Sequence, residues 1–137
     1  VGKLFNGFLI FYFMEMSSAL SDEDESDLKY CDNTVVGFVE EVFIDGCSYL
    51  ARIDSGAARN SICSSLVEKH KINDVVGNVG VRSSHGRSQR EIIKCDILIQ
   101  NKDFETDFSV VDRTHMKYPI LIGRNLLKRG FLIDCSK

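Results

Sequence analysis

The stretch Tyr49-Leu50-Ala51-Arg52-Ile53-Asp54-Ser55-Gly56-Ala57 runs from an apolar, strand-like segment straight into Asp-Ser-Gly-Ala. Two chemistries fit it. Asp, Ser and Gly are all turn formers, so the quartet can simply end a strand. A carboxylate held there can also move protons, and Asp54 is then one half of a catalytic pair. A second stretch bears on the choice. Pro119-Ile120-Leu121-Ile122-Gly123 brings an apolar run to a glycine, and Arg124-Asn125-Leu126-Leu127 follows in a helix-like pattern.

The elements that must position these residues are mostly strands. Thr34 to Asp45 is rich in Val, Ile and Phe and ends at Asp45-Gly46, a strong turn pair. Ser48 to Ile53 follows as a second strand, so the two read as a hairpin that feeds Asp54. Further on, Ile93, Cys95, Ile97 and Ile99 alternate with Lys94, Asp96 and Gln100, the period of a half-buried strand. Asn101-Lys102-Asp103 turns the chain, and Phe104, Thr106, Phe108 and Val110 alternate again. Tyr118 to Gly123 reads as a strand buried on both faces. Arg124 to Gly130 is the one helix this reading finds, stopped by Gly130, and Phe131 to Cys135 is a closing strand.

Composition sets the bounds. The chain has 137 residues, 44% hydrophobic and 27% charged, which suits one modest domain with a core. Net charge is −3, but the acids Asp22, Glu23, Asp24, Glu25 and Asp27 crowd one short stretch. That stretch reads as a solvated linker that cannot pack. The remainder is close to neutral, with no broad basic surface for nucleic acid. Leu4 to Met14 is apolar but too short to span a bilayer. It is open to reading as a signal peptide, or as an upstream extension before a start at Met14 or Met16. Residues 1–30 are therefore read as a leader and 31–137 as the folded domain. The five cysteines include no C-x-x-C pair, which argues against a disulfide framework or structural zinc. Most read as small core residues in a reducing, cytoplasmic setting.

With Asp-Ser-Gly-Ala, a Gly-containing hairpin, two alternating strands, Ile-Leu-Ile-Gly-Arg-Asn-Leu-Leu and a short last strand, the chain resembles a retropepsin, the single-domain aspartic protease of retroviruses. Ile122 to Leu127 is very similar to the segment before the last strand of the immunodeficiency-virus protease. A closer resemblance, carried above all by Asp112 to Arg124, is to the cellular retropepsin-like family labelled "ATP-dependent zinc protease" and associated with RimK-type glutamate ligases. It covers about residues 34–137. The implied fold is all-β, a retropepsin-like closed β-barrel with one short C-terminal helix.

The resemblance also implies a mechanism. Two carboxylates sharing one proton can activate water and protonate the leaving group, because like charges in such aspartic-protease dyads cannot both ionise readily. One Asp-Ser-Gly motif per chain then requires a homodimer, with Asp54 meeting Asp54 of a second copy. Ser55 and Gly56 brace the pair, Ala57 leaves room for substrate backbone, and Gly123 lets the apolar strand pack under the loop, with Arg124 in support. Val76 to Arg90 fits the flap, with His85-Gly86 at its tip. Arg82, Ser84, His85, Gly86 and Arg87 of the flap and Arg59, just after the catalytic loop, are substrate-binding candidates, and their charge favours acidic, glutamate-rich peptides. One departure stands out. Viral retropepsins place an acid after the Asp-Thr-Gly-Ala segment to pair with the Arg of Gly-Arg-Asn; here Ala58 takes that place, so Arg124 needs another partner.

The separated histidines His70, His85 and His115 and the lack of H-E-x-x-H or a phosphate loop give the zinc and ATP of the label no support. The expectation is an aspartic endopeptidase without metal or cofactor, acting on peptides, with no nucleic-acid or membrane partner. The alternative is a non-catalytic module of the same fold that dimerises or binds peptides.

Overall fold

Asp45 and Gly46 both take positive φ, 50° and 79°. That pair is the two-residue hairpin turn whose twist matches its strands, and it joins two neighbouring strands of the barrel described next. The computed structural model describes residues 33–137. In it the first strand is short: β1 (Thr34–Val36). Then come β2 (Val39–Ile44), β3 (Cys47–Ile53), β4 (Asn60–Cys63), helix α1 (Ser64–Lys69), β5 (Val75–Ser83), β6 (Gly86–Ile99), β7 (Lys102–Val111), β8 (Ile120–Ile122), helix α2 (Arg124–Leu127) and β9 (Phe131–Ile133). The Asp45-Gly46 turn therefore links β2 to β3, as the sequence pattern requires.

Six strands close a barrel in the order β2-β3-β8-β4-β7-β6, sealed where Val42 pairs with Ile99 and Phe43 with Leu98. β5 hangs on the outer edge of β6. The long β6 thus serves twice: Gly86 to Ile93 pairs with β5, and Ile92 to Ile99 pairs with β7. The barrel is filled by Ala51, Ile53, Ile62, Ile93, Ile97, Ile99, Phe108, Ile120 and Ile122. Ile93, Cys95, Ile97 and Ile99 face inward while Lys94 and Asp96 are exposed, so the alternation read from sequence is the one observed.

Four details differ from the sequence reading. The run from Thr34 to Asp45 breaks at Gly37-Phe38: β1 leaves the barrel and pairs in parallel with β9. Gly37 sits at the break, its N–H held by Glu40 Oε2 at 2.7 Å. The second hairpin turns at Gln100-Asn101, both with positive φ, which returns Lys102 and Asp103 to β7. Leu121 is only half-buried, so one face of β8 is partly open. Finally, α1 is a second helix that the sequence reading does not find. It is six residues long and follows β4 directly, with Leu66 buried and Val67 packed on the core. Two apolar residues are too few to register as a helical period.

Cys63 and Cys95 are buried, Cys47 is half-buried and Cys135 is exposed; none of these four is in a disulfide. The core reading holds for Cys63 and Cys95 but not for Cys135. Burial, with Asp96 and Asp45 nearby, pushes the Cys95 thiol up to about 11, so it stays protonated and inert. Among the described residues no helix is long and apolar enough to cross a membrane. The apolar and acidic stretches before residue 30 lie outside the described residues.

Candidate active site

Asp54 follows the last residue of β3 and is pinned from both sides. Its N–H donates to Ile122 O at 2.9 Å, and its carbonyl accepts from Ala57 N at 3.2 Å, closing a tight turn. Its carboxylate accepts from Gly56 N at 2.9 Å. A Cβ on Gly56 would lie 3.2 Å from that same oxygen, so a glycine suits the close approach.

The floor of the loop is more constrained. A Cβ on Gly123 would lie 2.8 Å from the carbonyl oxygens of Ala57 and Arg59. These are backbone atoms, which cannot swing aside. Without that side chain, Arg124 N–H reaches Ala57 O at 2.8 Å and Asn125 N–H reaches Ala58 O at 3.2 Å. The Arg124 guanidinium finds the partner that Ala58 cannot supply: its Nη1 donates to Ser55 O at 3.0 Å. It therefore ties α2 to the Asp54 turn through backbone.

Two asparagines complete the floor, and the sequence reading assigned neither a role. Asn60 is fully buried. Its Oδ1 accepts Gly123 N–H at 2.8 Å, and its Nδ2 donates to Thr106 Oγ1 at 3.1 Å and Asp107 O at 3.0 Å. Asn125 answers it, accepting Asn60 N–H at 2.8 Å and donating to Asp107 Oδ1 at 2.8 Å. Buried amides of this kind hold a unique geometry because each group is expensive to leave unpaired. An asparagine inside the otherwise strand-like Asn60 to Cys63 was the available signal.

The site residues expected around the loop are distributed unevenly. Arg59 pairs with Asp107 at 3.2 Å, so its charge is engaged at the side of the loop. Arg82, Ser84, His85, Gly86 and Arg87 all lie on the β5–β6 hairpin, where Ser83 pairs with Gly86 around a turn at Ser84-His85. Arg82 and Arg87 are direct cross-strand neighbours, and both are exposed. A pocket of about 410 Å³ is lined by Gly80, Val81, Arg82, Arg87, Ser88 and Gln89.

A family model described as "RimB-like: Retropepsin-like aspartic endopeptidase RimB" matches residues 65–137, just over half of the chain. The chain belongs to this family. The RimB-like match begins after the Asp54 turn, so it rests on the hairpin, β7, β8 and α2 rather than on Asp-Ser-Gly itself. No curated protein matches in sequence. Among solved structures, a protein of unknown function from Legionella pneumophila superposes with a TM-score of 0.55 at 16% identity, over 77% of this chain and 96% of its own. The simian foamy virus protease gives 0.54 at 19% identity, over 66% of this chain and 91% of its own. The EIAV protease, solved with the inhibitor HBY-793, gives 0.53 at 16% identity, over 66% and 84%. The retropepsin-like barrel is therefore the fold of this RimB-like chain.

The "ATP-dependent zinc protease" label does not recur in these matches. His70 caps the end of α1, His85 lies in the hairpin turn and His115 in the β7–β8 loop. Among the described residues no three His, Cys, Asp or Glu side chains are grouped to hold a metal, so these residues do not fit a zinc site.

One further face of the RimB-like barrel carries charge that the sequence reading passed over. Val39 pairs with Arg52, Arg52 with Leu121, and Leu121 with Ser61. Paired residues share a face, so these four form a row across β2, β3, β8 and β4. Arg113, from the loop after β7, lies over the end of this row. It is only 8% exposed, with Nη1 donating to Ser61 Oγ at 3.1 Å and Nε to Tyr118 O at 2.9 Å. Burial holds its guanidinium below the ordinary value; Cys63 opposes that shift, and the charge of Arg52 adds to it.

Proposed function

We propose that the protein is a homodimeric aspartic endopeptidase, in which Asp54 of two copies forms the catalytic dyad. One carboxylate takes a proton from water as the water attacks the peptide carbonyl. The other, protonated, donates to the carbonyl oxygen, and the proton taken from water then goes to the departing amine. Ser55 and Gly56 brace the pair, Ala57 leaves space for the substrate backbone, and the β5–β6 hairpin acts as the flap. Its arginines, Arg82 and Arg87, favour acidic, glutamate-rich peptides.

The observation that carries this reading is the rigidity of the Asp54 turn. Gly123, Arg124, Asn60 and Asn125 converge on the loop that holds the Asp54 carboxylate. Membership of an aspartic endopeptidase family supports it. A turn that merely ends a strand has no need of such a floor.

The test is cleavage of a diverse peptide mixture, read by mass spectrometry from about pH 4 to pH 8, which brackets plausible dyad titrations. Wild type and Asp54→Asn are run side by side, with a chelator control. Cleavage by wild type alone, insensitive to chelator, is expected. Equal cleavage by both proteins, or none by either, overturns the enzyme in favour of a peptide-binding module. Sedimentation adds a second check, because a chain that stays monomeric with substrate bound cannot assemble the dyad.

A further inference from the structure

We propose that the outer face of β2, β6 and β7, around Phe43 and Leu98, is a docking surface for a basic segment of a partner protein, one that presents Arg or Lys beside an apolar residue. The inference goes beyond the proteolytic reading and does not need Asp54 to be catalytic.

The face follows from register. Leu98 pairs with Phe43 on one side and with Asp103 on the other, so the three form one outward row. The inward row beside it, with Val42 and Ile99, belongs to the core. The next outward row along β6 sets Asp96 directly opposite Glu105, with Cβ atoms about 5 Å apart. Phe43 and Leu98 are half-buried, while Asp96, Asp103 and Glu105 are exposed. A groove of about 270 Å³ lies between Phe43, Leu98, Asp45, Asp96 and Asp103. Its middle is apolar and its rim acidic. Phe43 pairs with Ser48, six positions before Asp54 and roughly 20 Å away along β3. A ligand here leaves the Asp54 turn uncovered.

The chain does not balance these carboxylates itself. Among the described residues none of Asp96, Asp103 and Glu105 joins an ion pair. Neighbouring cations are directed elsewhere. Lys102 Nζ donates to Thr34 Oγ1 at 3.1 Å. Arg129 lies over the Phe104 ring and donates to the Glu105 carbonyl, not its carboxylate, at 2.8 Å. Lys94 stands opposite Asp107 and, with Lys71, lines a separate cleft that Asp96 also borders. Like charges directly opposite weaken a strand pair, and apolar side chains left partly in water forgo burial. A basic, amphipathic segment relieves both. Its cation sits between Asp96 and Glu105, its methylene stem covers Leu98, and the Phe43 ring adds a surface for cation–π contact. A purely apolar partner would bury the carboxylates unpaired, and an acidic one would be repelled.

The test uses the full chain, isotope-labelled for NMR and titrated with a short peptide of alternating Arg and Leu, against a Glu-Leu counterpart. Amide shifts are expected to cluster at Phe43, Leu98, Asp103 and Glu105, with the Arg-Leu peptide alone. Asp103→Asn combined with Glu105→Gln should weaken that binding about tenfold. Glu91→Gln, which removes an exposed acid elsewhere on β6, should leave it unchanged. Asp96→Asn separates docking from a structural role: it should weaken the peptide yet raise the thermal midpoint by about 2 °C, because it relieves the repulsion with Glu105. No binding, shifts confined to the acidic run at residues 22–27, equal loss in Glu91→Gln, or a lower midpoint in Asp96→Asn overturns the surface. So does self-association of the wild type that the Asp103→Asn, Glu105→Gln variant abolishes, which would give the face to a second copy.

Discussion

The Asp54 turn and the β5–β6 hairpin are both loops by sequence, yet they are held in opposite ways. The turn is tied by backbone and buried amides from β3, β4, β8 and α2, with Gly123 permitting the contact. The hairpin is held by its β5–β6 ladder, a Cβ added at Gly77 or Gly80 would meet nothing within 4 Å, and Arg82 faces Arg87 across it. Like charges opposite one another weaken a strand pair. On the proposed reading the pattern separates two demands: a reacting carboxylate must be fixed, and whatever covers a substrate must be able to yield.

The contrast can be broken at several points. The largest effect is expected from Asp54→Asn, which should lower cleavage by about a thousandfold or more, the scale of lost acid–base catalysis, while the thermal midpoint stays nearly constant. Gly123→Ala should come next, costing about 3 kcal/mol in a denaturant titration because backbone has to move. A cost near zero would mean the floor is softer than its contacts imply. Asn60→Ala should cost about 2 kcal/mol, leaving the buried Gly123 N–H without its acceptor. On the hairpin, Arg87→Glu should change stability by no more than about 0.5 kcal/mol and in the stabilising direction, while weakening acidic peptides. Hydrogen exchange sharpens the same point: amides from Val79 to Gln89 should exchange well before those of Ile53 to Ile62.

The smallest effect concerns pH. Burial alone would raise the Glu40 carboxyl, but hydrogen bonds from Gly37, Lys137 and Gln100 outweigh it and hold it below its ordinary value. A depressed carboxylate stabilises the fold above its unfolded value and stops doing so as pH falls through the folded one. Acidification below about pH 4 should therefore loosen the Gly37 and Lys137 contacts beside β1 and β9, read by exchange at Val36 and Asp134.

Much of this was legible in the residues. Alternation in β6 and β7, the Asp45-Gly46 turn and the Leu126-Leu127 helix all follow from local pattern, and Asp54 and Gly123 were found through motif resemblance. What escaped depends on partners distant in sequence. Asn60 and Asn125 matter because they meet across 65 positions. Arg113 looks like a loop arginine until Ser61, 52 positions away, is brought beneath it. The break at Gly37 is equally invisible locally, since β1 departs to meet a strand at the other end of the domain.

That last pairing has a kinetic side. β1 joins β9 in parallel, and Lys137 Nζ reaches Val35 O across 102 positions. Closing so long a loop is entropically late, after the local hairpins have formed. During synthesis β1 must wait, unpaired, for the last strand to emerge, so a nascent chain that stalls before Phe131 keeps an open edge at its beginning. The β1–β9 ladder can therefore close only once Phe131–Ile133 is available.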